Sequence, residues 1–163
     1  MSIPFGAHIP FVEHLGFTLE KFAGGESELH FAPRPEHLNS FDVTHGGALM
    51  TFLDVIMATA ARSVDPNMGV VTIEMKTTFM RPAKVPAGQP LVGNGQLQHR
   101  TRSMAFTEGR IYDTTGQLCA TATGTFKYVA RRETQSPSTD LAMSTTPFAV
   151  GDRTYSDAHR RGN

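Results

Sequence analysis

Between positions 46 and 63, Leu49, Phe52, Leu53, Ile56, Met57, Ala60 and Ala61 recur at helical spacing, and alanines fill much of the remainder. A helix apolar on most sides is a buried helix, so the segment from about Gly46 to Ser63 is predicted to lie at the centre of the fold. Elsewhere the period is two. The pieces G-F-T-L-E-K-F and E-S-E-L-H-F flank Gly24-Gly25 and alternate apolar with polar residues, which predicts a β-hairpin between Gly16 and Phe31. Three further strand candidates follow the helix: V-V-T-I-E-M-K-T-T-F-M, a long run from Pro90 to Asp113, and L-C-A-T-A-T-G-T-F-K-Y-V. The long run is predicted to break near Thr101 to Ser103, with a hairpin turn at Asp113 to Gly116. Residues 1–15 read as a loop followed by a short helical turn, and P-R-P-E-H-L-N-S-F-D reads as a loop leading to the helix.

Strands in runs around one buried helix predict an α+β domain whose antiparallel sheet wraps that helix. The chain of 163 residues has room for one such core, expected over residues 1–130. From 131 to 163 the periodicity is lost, and a disordered tail is expected, with a short docked piece around Phe148 to Val150. Fifteen basic residues balance fifteen acidic ones, which argues against nucleic-acid or anionic-membrane binding by the chain as a whole. No apolar run reaches the ~20 residues of a membrane span. A single cysteine, Cys119, and a start without a basic leader lead to the expectation of a cytoplasmic protein in which Cys119 is a small buried residue.

One carboxylate interrupts the apolar helix. Asp54 follows the helix start His45-Gly46-Gly47, and burial among Leu53, Val55, Ile56 and Met57 would disfavour its charge and raise its pKa towards the range of a useful base. A buried Asp is also often a satisfied structural group, and Gly46-Gly47 alone fits a close-packed helix start. His30, His37 and His45 are seven and eight residues apart without a short ligand pair, so no metal site and no cofactor are expected.

Asn39, then His45-Gly46-Gly47 six residues on, then Asp54 in a buried helix, then a strand ending T-T-F-M-R-P-A: this ordered set resembles the hotdog-fold acyl-CoA thioesterases of the phenylacetic-acid-pathway (PaaI-like) kind. The likeness extends over roughly residues 11 to 129. It implies a hotdog fold and hydrolysis of an acyl-CoA or arylacetyl-CoA thioester to CoA and the free acid. One position departs. Members of that family often carry glycine three residues after the Asn, where this chain has Asp42, a residue type that tolerates turn and left-handed backbone. A Ser or Thr that sometimes assists one turn beyond the acidic residue in that family is absent, since that position is Ala58 and neither Thr51 nor Thr59 fills it.

Thioester hydrolysis needs an oxyanion donor and an activated water or nucleophile. The free N–H groups and dipole of a helix N-terminus supply the first, with Gly46 and Gly47 allowing close approach. Asp54 supplies the second, as general base or as a nucleophile forming a mixed anhydride. Asn39 would orient the water or thioester, and His45 would support the loop or hydrogen-bond near the carbonyl. Gly46 and Asp54 are eight residues apart, about 12 Å along a helix, too far to meet on one thioester. A second, antiparallel helix across a two-fold axis would bring the missing partner. The resembling family is built that way, implying a homodimer, with further pairing into a homotetramer expected.

For the CoA phosphates the candidates are Arg100 and Arg102, with Ser103 beside them, then Arg81; Lys84 is a further cation. The pair at 100 and 102 fits an ordinary solvated strand end as well. The acyl pocket would draw on Met50, Phe52, Met57, Met75, Phe79 and Met80, although helix methionines are more often core. The competing functions are a non-catalytic acyl-CoA sensor, which needs the arginines but not Asp54, and a hotdog-fold enoyl-thioester hydratase.

Overall fold

The computed structural model describes residues 2–131. The elements run α1 (Pro10–Leu15), β1 (Thr18–Ala23), β2 (Glu26–Phe31), a 3-10 turn at Pro35–His37, α2 (Gly46–Arg62), β3 (Met68–Phe79), β4 (Leu91–Arg100), β5 (Met104–Tyr112) and β6 (Leu118–Ala130). This is the predicted order, and the long run breaks at the predicted bend. The expected tail lies, from residue 132 on, outside the described residues, as does the piece around Phe148.

The six strands form one antiparallel sheet in the order β1-β2-β4-β5-β6-β3, curled around α2. Leu49, Phe52, Leu53, Ile56 and Met57 of α2 are buried against Leu29, Phe31, Leu91, Ile111 and Phe126 from the strands. Phe17, Phe31 and Phe52 form a cluster of tilted and edge-on rings at 4.8–5.5 Å. Cys119 is buried as expected, and burial pushes its thiol pKa up.

The helix approaches the sheet closely where strand residues lack side chains. Gly93, Gly95, Gly109 and Gly124 all face Phe52, Leu53, Ile56 or Met57. At Gly95 an added Cβ would lie 2.6 Å from the Ile56 carbonyl oxygen, a backbone atom that cannot swing away. Ser27 Oγ donates to that same carbonyl at 2.8 Å, and Tyr128 Oη donates to the Ala61 carbonyl at 2.9 Å, so helix and sheet are also tied by hydrogen bonds. Gly95→Ala should therefore cost about 1–3 kcal/mol, the usual penalty of overpacking, read as a lowered Tm in thermal unfolding. An unchanged Tm would show that the contact relaxes freely.

β3 carries a bulge. Its pairing with β6 slips between Thr72 and Glu74, leaving Ile73 unpaired. One extra residue reverses the facing of a strand, so Met75 and Phe79 on one side of the bulge and Val70 and Thr72 on the other all turn towards α2.

Candidate active site

Residues 38–45 form a folded-back loop that ends on α2. Asn39 Oδ1 accepts the N–H groups of Phe41 at 2.9 Å and Val43 at 3.4 Å, and the Asn39 N–H donates to the Val43 carbonyl at 2.9 Å. Asp42 sits at φ 54, the left-handed turn conformation expected of it. The Thr44 N–H donates to the Ala83 carbonyl at 3.0 Å and the His45 N–H to the His37 carbonyl at 2.8 Å, which fixes the direction of the helix start.

His45 is the N-cap. Its Nδ1 accepts the Gly47 N–H at 2.9 Å, a local helix-starting role. The Gly47 N–H is thereby engaged within the helix start. The Gly46 N–H has no acceptor among the described residues. Gly46 lines a pocket of about 360 Å³ together with Asn39, Thr44, Leu49, Phe79, Met80 and Arg81, with Val43, Pro82 and Ala83 completing the wall. With Asn39 Oδ1 committed to the loop, its amide N–H groups are the part left to reach a ligand.

Asp54 is half-buried two turns further along α2 and does not line that pocket. Burial raises its pKa, and a hydrogen bond from Thr72 Oγ1 at 2.7 Å opposes part of the rise by stabilising the carboxylate. Thr72 is the residue that sequence reasoning missed. An assisting hydroxyl was sought on the helix, whereas it comes from β3 through the bulge at Ile73, and alternation counted from Phe79 would turn Thr72 outward.

The arginines separate into two groups. Arg81 lines the pocket at the start of α2, and Lys84 lies in an adjoining hollow of about 300 Å³ that shares Thr44 and Ala83 with it. Arg100, Arg102 and Ser103 lie at the opposite end of α2: Arg100 stacks over the Tyr128 ring at 5.2 Å, the Tyr128 N–H donates to the Ser103 carbonyl, and Tyr128 Oη reaches Ala61. One chain therefore does not gather them with Gly46. Met50 and Phe79 are exposed, Phe79 against Gly46, whereas Phe52 and Met57 are fully buried core rather than pocket wall. Another hollow of about 300 Å³ on β1, β2, β4 and β5 is lined by Lys21, Glu26, Glu108 and Arg110, whose charges pair with one another, and no predicted site residue lines it.

Among the described residues no three His, Cys, Asp or Glu side chains gather to hold a metal ion, and no helix is long and apolar enough to cross a membrane. The family model of the thioesterase superfamily matches residues 41–120, spanning His45, Gly46, Asp54, Thr72 and Arg81 and starting just after Asn39.

Over those residues the chain is similar to the thioesterase superfamily.

Human acyl-coenzyme A thioesterase 13 is 29% identical over 104 residues, covering 63% of this chain and 73% of that protein. Among solved structures, an Asn-to-Asp mutant of the phenylacetic acid degradation protein PaaI from Thermus thermophilus superposes with a TM-score of 0.65 at 27% identity, covering 73% of this chain and 98% of that one. A phenylacetic acid degradation-related protein from Ralstonia eutropha gives a TM-score of 0.66 at 26% identity, covering 74% and 92%. These likenesses identify the sheet wrapped around α2 as the hotdog fold. In this chain the helix start and its mid-point carboxylate are both formed, and both meet β3.

Removing the Thr72 hydroxyl is a direct test of the carboxylate's surroundings. In Thr72→Val the burial of Asp54 acts unopposed, so its pKa rises further, and the acid limb of any activity that needs ionised Asp54 moves to higher pH. A pH profile of kcat/KM checks this, and a limb that stays or moves to lower pH would contradict it.

Proposed function

We propose that this chain is an acyl-CoA thioesterase, acting on acyl-CoA or arylacetyl-CoA as a homodimer whose two sites each draw on both subunits. The observation that carries the reading is the pairing, on one helix, of a pocket-lining Gly46 whose N–H has no acceptor among the described residues with a half-buried Asp54 held by Thr72. The human relative, an acyl-coenzyme A thioesterase by name, and the phenylacetic acid setting of the two structural neighbours agree with it.

In the reaction, the thioester carbonyl oxygen accepts a hydrogen bond from the Gly46 N–H, and the helix dipole adds to the stabilisation as negative charge develops there. The Asn39 amide orients the thioester or the water. By one route the partner's Asp54 takes a proton from water, whose oxygen attacks the carbonyl carbon. The tetrahedral oxyanion collapses, the C–S bond breaks, and the CoA thiolate leaves and is protonated. By the other route the carboxylate attacks directly, expelling CoA to give a mixed anhydride that water then opens. Both yield CoA and the acid.

Support for the dimer comes from β3. It ends the sheet order, pairing only with β6. Of the nine large apolar side chains left exposed among the described residues, six (Phe41, Met50, Val71, Ile73, Phe79 and Met80) lie on β3, directly after it, or around the start of α2. An open apolar edge of this kind invites a matching strand, and a second copy adding its β3 antiparallel would set the two α2 helices side by side. The far end of the partner's α2 then projects past the start of this one, bringing Arg100, Arg102 and Ser103 of the partner subunit towards Arg81 and Lys84, where the CoA phosphates would lie. Two such dimers pairing make the homotetramer.

The reading is tested by following free thiol released from acetyl-, long-chain acyl- and phenylacetyl-CoA. Thiol release that scales with protein is expected. Tight binding of these thioesters with no release would replace the hydrolase by a sensor.

A further inference from the structure

Phe79 lies 3.5 Å from where a Cβ on Gly46 would stand, and Thr72 holds Asp54. Both ends of the site on α2 therefore look towards β3. Met50, four residues from each, lies on the same strip of the helix. It is also the only large apolar side chain of α2 left exposed, at 41%.

If antiparallel helices set Gly46 opposite the partner's Asp54, symmetry leaves no freedom for the residue midway between them: Met50 must face its own copy. Each site then lies about 6 Å along the helix from the axis, on either side of it. Arg81 and Lys84 lie beyond the start of α2, so a thioester held at the Gly46 N–H with its phosphates towards those cations has its acyl group directed the other way, along the helix towards Met50.

We infer that the Met50 side chains of two subunits meet on the two-fold axis and form the common end wall of the two acyl pockets, so that this residue sets which acyl groups are accepted. This rests on the shared-site reading above. Methionine's unbranched, adaptable side chain makes that wall yielding, and the pair separates two pockets that would otherwise run into one another.

Two measurements test it. In a Cys119→Ser background, Met50→Cys should cross-link to a covalent dimer when diamide oxidises the two thiols to a disulfide and is itself reduced to the hydrazine. Ala58→Cys should not cross-link, because two copies eight residues beyond the axis are about 24 Å apart along the helix. In the thiol-release assay, Met50→Ala should raise the ratio of kcat/KM for long-chain over acetyl-CoA by about tenfold or more, and Met50→Phe should lower it, a size expected for changing a few carbons in an apolar pocket. A proven dimer that turns over acyl-CoA without the Met50→Cys cross-link, or one that links equally through Ala58→Cys, overturns the inference. So does an acyl preference that neither substitution moves. A Met50→Cys cross-link in a protein that releases no thiol overturns the hydrolase reading and leaves the position of the axis standing.

Discussion

Asp54→Asn should lower kcat for acyl-CoA hydrolysis by about 10²- to 10⁴-fold, the range expected when a catalytic base is removed, with KM changed far less. The substitution is close to isosteric. Its side-chain oxygen still accepts the Thr72 hydroxyl, so the helix and β3 remain joined and only the proton acceptor or nucleophile is lost. The same carboxylate weighs on stability in the opposite direction. Its folded pKa is raised by burial, so the folded state favours the protonated form, and stability falls as pH rises from the ordinary aspartate value through the folded one. Asparagine carries no such loss. The variant should therefore be at least as heat-stable as the wild type at pH 7, and that advantage should vanish at pH below the ordinary aspartate range. Steady-state kinetics beside thermal unfolding at two pH values reads both. Wild-type turnover in Asp54→Asn would remove Asp54 from the chemistry.

Gly46→Pro should cost about 10²- to 10³-fold in kcat, the loss seen when one oxyanion donor is deleted. Proline suits this position unusually well. Gly46 is the first residue of α2, where proline is favoured, and the preceding His45 already has φ −59 and ψ 136, the extended backbone that a following proline requires. An added Cβ meets the Phe79 ring at an ordinary 3.5 Å. The substitution thus removes an N–H without evicting a side chain or breaking the helix. Mixing Gly46→Pro and Asp54→Ala chains, unfolding and refolding them together, should return roughly a quarter of wild-type activity. Random assortment makes half of the dimers mixed, and each mixed dimer keeps one intact site of its two. Mixed dimers that recover nothing would place both groups of each site on one chain.

Much of this architecture was legible before any coordinates. Helical spacing from Leu49 to Ala61 located α2, alternation located the strands, and the eight residues between Gly46 and Asp54 already set those two about 12 Å apart along one helix. The turn chemistry of Asp42 was legible for the same reason: backbone preference is local and belongs to the residue. What escaped were properties of pairs distant in sequence. Thr72 reaches Asp54 because Ile73 is bulged out of the ladder, and a register slip of one residue leaves no mark on the alternation of neighbouring side chains. The close approach of α2 to the glycines of β4, β5 and β6 is likewise a property of residues far apart in the chain.

The sequence by itself determined the elements, their order, the helix-borne carboxylate and its distance from the helix start, because periodicity, capping and rise per residue are consequences of local covalent geometry. Only the tertiary structure decided which donors stay free and which cations share an end of the site. His45 engages Gly47, Asn39 spends its oxygen on the loop, and Arg81 rather than Arg100 stands beside Gly46 in the same chain. Those outcomes depend on where the sheet carries each strand end around α2, and strand pairing joins residues through space without regard to their separation along the chain.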